Sequence, residues 1–410
     1  NGNIYTSSNI TATYGVAVQN RYTVLPVTEE VLLNSGYVVD MSNSSGSVGI
    51  QSLAGARAVN KGKVIVGNSS SASAGIGILA ESSTTNLTSV VNDSGAVIEM
   101  PYAGIGIYLD SLELGGSVTN AGTISSTQAN ALGIYAKMSS AGDLGAPITA
   151  IINTGSINLS DNGFGIFTDN STITNSGNIT VDNPGTNSII AIYGGRNSII
   201  NNTGGNISVG EGGIAFYGNN TVMTISGGNF STEGGTLIYA ENNTNITYTA
   251  NGTTLGNKIG IYLDQSKIDL GGKNFSVMDS GSAIYLLGAN AEAKSLGTMT
   301  LGNNSEGAYV KNSMMNLLGG TMNITGSNST GIIGINSNIE NTTAINANIL
   351  AGSFENKGLL VKVDDGGAYT IRNKAAVNII GANSLGIYGS TLDSSGNILG
   401  ALNIINENNI

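Results

Sequence analysis

The sequence predicts an all-β fold: a right-handed parallel β-helix, a solenoid with about 22–32 residues and three short strands per coil. Three observations predict it. A glycine–isoleucine–aromatic motif recurs at a drifting period in the twenties. An Asn-x-Gly corner alternates with that motif and leads into a strand of alternating apolar residues. No stretch carries a helical period.

The first motif is seen most fully as GIYLD at 106–110 and again at 260–264, with shorter versions GIYA at 133–136, GFGIF at 163–167, AIYGG at 191–195 and GIYG at 386–389. The aromatic of each unit falls at Tyr108, Tyr135, Phe167, Tyr193, Tyr217, Tyr239, Tyr262, Tyr285 and Tyr309, with successive gaps of 27, 32, 26, 24, 22, 23, 23 and 24 residues. Degenerate copies extend the series: YGVAV at 14–18, GIGILA at 75–80 and GIIGI at 331–335. Strand alternation places Ile105, Ile107 and Leu109 inward and Tyr108 outward. Each aliphatic side chain so buried contributes about 1.5–3 kcal/mol relative to exposure.

The second motif reads NSGYVV at 34–39, NKGKVIV at 60–66, NAGTI at 120–124, NTGSI at 153–157 and NSGNITV at 175–181. Asn and Gly tolerate left-handed backbone, so N-x-G is expected to turn a corner in that conformation. Asn34, Asn60, Asn120, Asn153 and Asn175 are expected to stack there, their amides bonding up and down the column. A third short strand follows the aromatic one, as in STITN at 171–175 and SKIDL at 266–270. Right-handedness follows from the chirality of parallel crossovers. The L-x-x-L-x-L pattern and helical half of a leucine-rich horseshoe are missing.

Composition narrows the function. Only 10% of residues are charged, against roughly 25% in an average globular chain. The 40% hydrophobic content and only four prolines mark an ordered chain. A net charge of −11 without a basic cluster argues against nucleic acid and against an anionic membrane surface as partners. No apolar run is long enough to insert into a bilayer as a helix. Cys, His and Trp are absent, which removes disulfides, the common nucleophile–base pairs and most zinc sites. A cysteine-free chain also suits export through a pore in the unfolded state.

Residues 1–33 form an irregular N-terminal segment, in which RYTVLPVTEEVLL at 21–33 fits the repeat poorly, and residues 34–410 form the β-helix. KMSSAGDLGAPIT at 137–149 lengthens its coil and is expected to protrude. No signal peptide opens the chain, and LNIINENNI at its end reads as strand and corner without a cap. The chain is therefore expected to be an excised or mature segment that continues past Ile410.

A β-helix enzyme acting on polysaccharides needs clustered carboxylates, often with Arg, Lys or Ca²⁺. Asp364–Asp365 in VDDGGAY is the only adjacent aspartate pair, and Gly366 and Gly367 make it a surface turn. Asp110 and Asp264 share one repeat position and read as corner residues. Arg57, Arg196 and Arg372 fall in different coils with no acidic partner at matching phase. The glycine-rich strands lack the following helix, third glycine and later acidic residue of a nucleotide loop. No catalytic residue, metal site or cofactor is predicted.

The outward aromatic column holds nine of the sixteen tyrosines when Tyr388 is counted. Stacked rings shield the flanking glycines and support the sheet. They also suit an aromatic platform for sugar rings or a protein partner. The candidate ligand-binding residues are Tyr108, Tyr135, Tyr193, Tyr217, Tyr239, Tyr262, Tyr285 and Tyr309, with Lys137 and Asp143 from the protruding segment.

The N-x-G-x-I corners, the GIGIY strands and the acidic, His- and Cys-free composition together resemble the passenger region of bacterial type V autotransporter adhesins, in detail the large fusobacterial outer-membrane ones. The resemblance covers nearly the whole chain and is weakest over the first 30 residues. It implies a non-catalytic rod displayed at the bacterial cell surface and exported through a β-barrel domain of the same chain. It also implies attachment to host cells, through a receptor protein or a galactose-type glycan, or to other bacteria. A polysaccharide lyase or glycosidase, and a stalk without ligand, are the alternatives.

Overall fold

The computed structural model describes residues 4–408 apart from 7, 12–14, 22–29, 45, 69–72, 84–85, 112–114, 129, 139–148, 161, 183–188, 233, 257, 318, 354 and 393–394. Among the described residues every regular element is a strand, and the strand ladders run parallel from coil to coil. The fold is a right-handed parallel β-helix. It comprises two compact units, residues 1–217 with 227–231, and residues 218–226 with 232–410.

In the first unit one coil runs through Gly104–Ser111, Gly116–Asn120 and Thr123–Ser126, and the next through Ala131–Met138, Thr149–Asn153 and Ser156–Leu159. Each strand pairs with its counterpart one coil on, so three faces form, with Tyr108 beside Tyr135, Asn120 beside Asn153 and Ile124 beside Ile157. Within residues 1–33, strands Ile4–Thr6, Ile10–Thr11, Val16–Arg21 and Glu30–Leu33 already pair with later coils. The second unit repeats the plan, as in Ile259–Asp264, Lys267–Asp269 and Phe275–Val277.

The interior is aliphatic: Ile107, Leu109, Ile124, Ile134, Ile157 and Ile166 are wholly buried. The inward set differs from simple alternation at one place. Gly106 and Ile107 are both buried, whereas Ile105 is only half-buried and belongs to the outer side. Two successive buried residues mark a bulge-like slip, repeated in Phe164–Asp169, Ile259–Asp264 and Glu306–Lys311. The slip recurs in register, so the ladder survives it. Its inward residue is glycine because a Cβ at Gly106 would lie 2.5 Å from Ile124 Cγ2 and 2.6 Å from Gly133 O.

In the first unit the asparagine column forms at the corner, with three changes of membership: Asn92 and Asn202 join it and Asn34 does not. Asn60 donates to Asn92 at 2.9 Å, Asn92 to Asn120 at 2.8 Å, and Asn120 to Asn153, Asn153 to Asn175 and Asn175 to Asn202 at 2.7 Å each. All six are wholly buried. Asn34 is not a rung: Leu33 stands in register with Asn60, and Asn34 donates instead to the Thr6 carbonyl at 3.1 Å. In the second unit the column reappears as Asn341, Asn373 and Asn406, again at 2.7 Å.

The corner glycines follow expectation only in part: Gly36 takes positive φ, at 84°. Gly122, Gly155 and Gly177 do not adopt positive φ. They are glycines because adjacent coils stack backbone on backbone there, Gly155 directly against Gly122 O. Left-handed asparagines sit at another corner, after the aromatic strand: Asn170 (φ 49°), Asn197 (φ 59°), Asn312 (φ 49°) and Asn336 (φ 49°). Asparagine tolerates that conformation better than other side-chain-bearing residues.

The arginines do have acidic partners, contrary to the sequence reading. Arg57 pairs with Glu30, its direct register neighbour, Arg196 with Asp169 at 3.3 Å, and Arg372 with Glu407. Coil length varies between 22 and 33 residues, and that drift hides in the sequence which residues lie one coil apart.

Candidate functional site

The aromatic column is assembled by register. In the first unit, Tyr108 and Tyr135 stand 5.3 Å apart between ring centroids, Tyr135 and Phe167 5.5 Å, Phe167 and Tyr193 4.3 Å, and Tyr193 and Tyr217 4.9 Å. In the second, Tyr239–Tyr262, Tyr262–Tyr285 and Tyr285–Tyr309 lie at 4.5, 5.3 and 4.6 Å and stack nearly parallel, tilted by 11–17°. These spacings follow from the rise of one coil, and each offset ring pair adds about 0.5–1.5 kcal/mol beyond its burial. Every ring is half-buried and outward. Below Tyr108 the position passes to Leu79 and Gln51, and Gln19 donates to Gln51 at 2.6 Å, so the column continues there as amides. Tyr388 occupies the repeat position beside Leu360, away from the other rings, and is 44% exposed.

Lys137 is the only predicted loop residue inside the described set; Asp143 lies outside it. The Lys137 ammonium sits 3.1 Å from Asp110 and 5.8 Å from the Tyr108 ring centroid. Hydrogen bonds to Tyr108 and then to Asp110 hold it protonated well above its ordinary range. Asp264 ends the strand Ile259–Asp264, and Asp110 is the last residue but one of Gly104–Ser111.

Burial is the main cause that raises the phenols. It lifts Tyr108, Tyr239, Tyr285 and Tyr309 above their usual value, and Tyr262 to about 12, helped by the charges of Tyr239 and Asp264. A phenol whose folded pKa lies above its unfolded value of roughly 10 contributes stability fully below pH 10, and that contribution is lost as pH rises through the folded value. A spectrophotometric phenolate titration is therefore expected to show a late component near pH 12, which Tyr262→Phe removes without unfolding the chain. A titration complete by pH 10.5 in the native chain contradicts this.

A second cluster was read in the sequence only as a turn. At a corner of the second unit, Asp365 accepts from Tyr369 Oη at 2.6 Å and from Gly367 N–H at 2.9 Å, which keep its carboxyl below the usual range. Asn336 donates to Asp364 at 2.7 Å and accepts its N–H at 2.8 Å. Asn336, Asp365 and Tyr369 border a depression of about 540 Å³. The signal available was the GGAY that follows the aspartate pair. Among the described residues no three Asp or Glu side chains gather closely enough to hold a metal ion.

Stacked parallel coils of three strands, a polar column at one corner and aliphatic side chains inside define a pectate lyase-like domain in fold. Residues 1–205 match the family described as the BigA third pectate lyase-like domain, half of the 410 residues. The chain belongs to that family. No curated protein and no solved structure matches it.

Proposed function

We propose that the chain is a surface-displayed adhesin segment, the passenger of an autotransporter of the kind found in the large fusobacterial outer-membrane adhesins. It attaches to host cells or to neighbouring bacteria and performs no catalysis. The observation that carries this reading is the aromatic column, which presents half-buried rings outward along successive coils of each unit. Membership of the BigA-type domain family supports it as well. A repeated face of rings offers contact area at low conformational cost, as recognition surfaces do. The partner is a host receptor ectodomain, a neutral glycan or a bacterial surface, and the place of action is outside the cell.

The purified chain is expected to bind host cells saturably, and Tyr239→Ser with Tyr262→Ser and Tyr285→Ser is expected to reduce binding about tenfold while far-UV circular dichroism is unchanged. Absence of saturable binding to both host and bacterial cells overturns the reading. New chain ends after incubation with pectin-like or other oligosaccharides, read by mass spectrometry, would replace it with an enzyme.

A further inference from the structure

We infer that the corner depression beside Asp365 and Tyr369 binds the terminal residue of a neutral glycan; this rests on the adhesin reading and names its ligand class. The depression, about 540 Å³, falls in the size range of small-ligand sites. Asn312, Met314, Asn336, Asn338, Asp365 and Tyr369 line it. That set combines an aromatic ring, a thioether that is 54% exposed, three amides and one carboxylate. A pyranose offers the complement: a C–H face for the apolar groups and an edge of hydroxyls that both donate and accept.

The polar groups are held before any ligand arrives. Gly367 N–H bonds one Asp365 oxygen and the Tyr369 hydroxyl the other, which leaves each oxygen a further lone pair for adjacent sugar hydroxyls. Asn336 is clasped from both ends by Asp364. Asn338 accepts from Thr370 N–H at 2.9 Å through its oxygen, which leaves its amide N–H groups as donors. The Tyr369 ring lies over Gly367, where a Cβ would stand 2.7 Å from Cε2, so only glycine lets the ring adopt this place. A surface turn accounts for Gly366, at φ 83°, and for the Gly367 bond. It does not account for a phenol tethered to an exposed carboxylate at the rim of a concavity. Among the described residues no lysine or arginine lines the depression, so an anionic sugar meets Asp365 without a counter-charge there.

The test uses the full chain with methyl β-galactopyranoside, methyl α-glucopyranoside, N-acetylglucosamine and, as the anionic probe, N-acetylneuraminic acid. Saturation-transfer NMR and calorimetry are expected to find binding on the order of millimolar for at least one neutral sugar and none for the anionic one. Asp365→Asn and Tyr369→Ala are each expected to weaken that binding about tenfold, a loss usual for a positioned polar or aromatic contact. Tyr369→Phe, which keeps the ring and frees the carboxylate, is expected to cost less. Circular dichroism and melting temperature confirm that the variants are folded. No neutral sugar bound by the native chain, or unchanged binding in both Asp365→Asn and Tyr369→Ala, overturns the proposal. The two readings separate in the cell assay: attachment that persists under saturating neutral sugar and in both variants removes the glycan site and leaves the adhesin. Sugar binding without attachment to any cell removes the adhesin and leaves the site.

Discussion

Asn120→Ala lowers the free energy of unfolding of the coils around it by about 3 kcal/mol, the cost of deleting a rung from a buried amide column. Asn120 accepts from Asn92 at 2.8 Å and donates to Asn153 at 2.7 Å, and neither it nor its partners touch solvent. Alanine leaves the Asn153 oxygen without that donor and the Asn92 amide without that acceptor, although Asn92 keeps a longer bond to the Thr123 carbonyl at 3.4 Å. Each buried group so stranded costs roughly 1–3 kcal/mol. Coils couple mainly to their neighbours, so urea denaturation is expected to show a separate early transition rather than a uniform shift. A midpoint within error of the native chain contradicts the column's role.

Asn120→Asp sharpens the same test through pH. A carboxylate at this site would face the Asn153 oxygen, acceptor against acceptor, in a water-free column, so burial raises its folded pKa above the unfolded ~3.9. The protonated acid restores the donor. Relative to the native chain, the variant is expected to be nearly intact below about pH 4 and to lose stability as pH rises through the raised folded value. The reverse dependence would show that the site is solvated.

Gly155→Ala is the second large effect, about 3 kcal/mol, and its mechanism is purely steric. The added Cβ would fall against Gly122 O, 2.7 Å from Ala121 C and 2.9 Å from Gly122 N, all backbone atoms of the preceding coil. Side chains can change rotamer, but a stacked backbone can only move the coils apart, and overpacking of this kind costs roughly 1–3 kcal/mol or more. Thr154→Ala, one residue away and exposed, is the control and is expected to stay within about 0.5 kcal/mol. Equal stability of Gly155→Ala and the control would mean that the corner is glycine for another reason. Positive φ is not that reason, because Gly155 has none.

What was legible in the sequence was whatever repeats. The GIGIY strands, the N-x-G corners and the outward aromatic phase need only a period and strand alternation. Ile107 and Leu109 are buried and Tyr108 is outward as alternation requires. Ile105 was illegible because the slip at Gly106 inserts one extra inward residue, and only the approach of Ile124 reveals it. Asn92 escaped because its corner reads NDSG rather than N-x-G, whereas Asn202 does open an N-x-G, as Asn202-Thr203-Gly204, and so was legible; register places both in the column. The second cluster was legible only as a turn, since Asn336 and Asp365 are joined by coil stacking and not by sequence proximity.

The sequence by itself determined the class of fold, because short strands and tight corners that recur at a period in the twenties, with no helical pattern, bury their aliphatic residues by stacking coil on coil. It also determined that the rings within each unit share one face. The tertiary structure alone decided which residues meet across coils: Arg57 with Glu30, Lys137 with Asp110 and Tyr108, and Asp365 and Tyr369 beside Asn336. The physical reason is that coil length drifts from 22 to 33 residues. Neighbourhood in this fold is set by backbone hydrogen bonds between coils, and no fixed sequence interval encodes it.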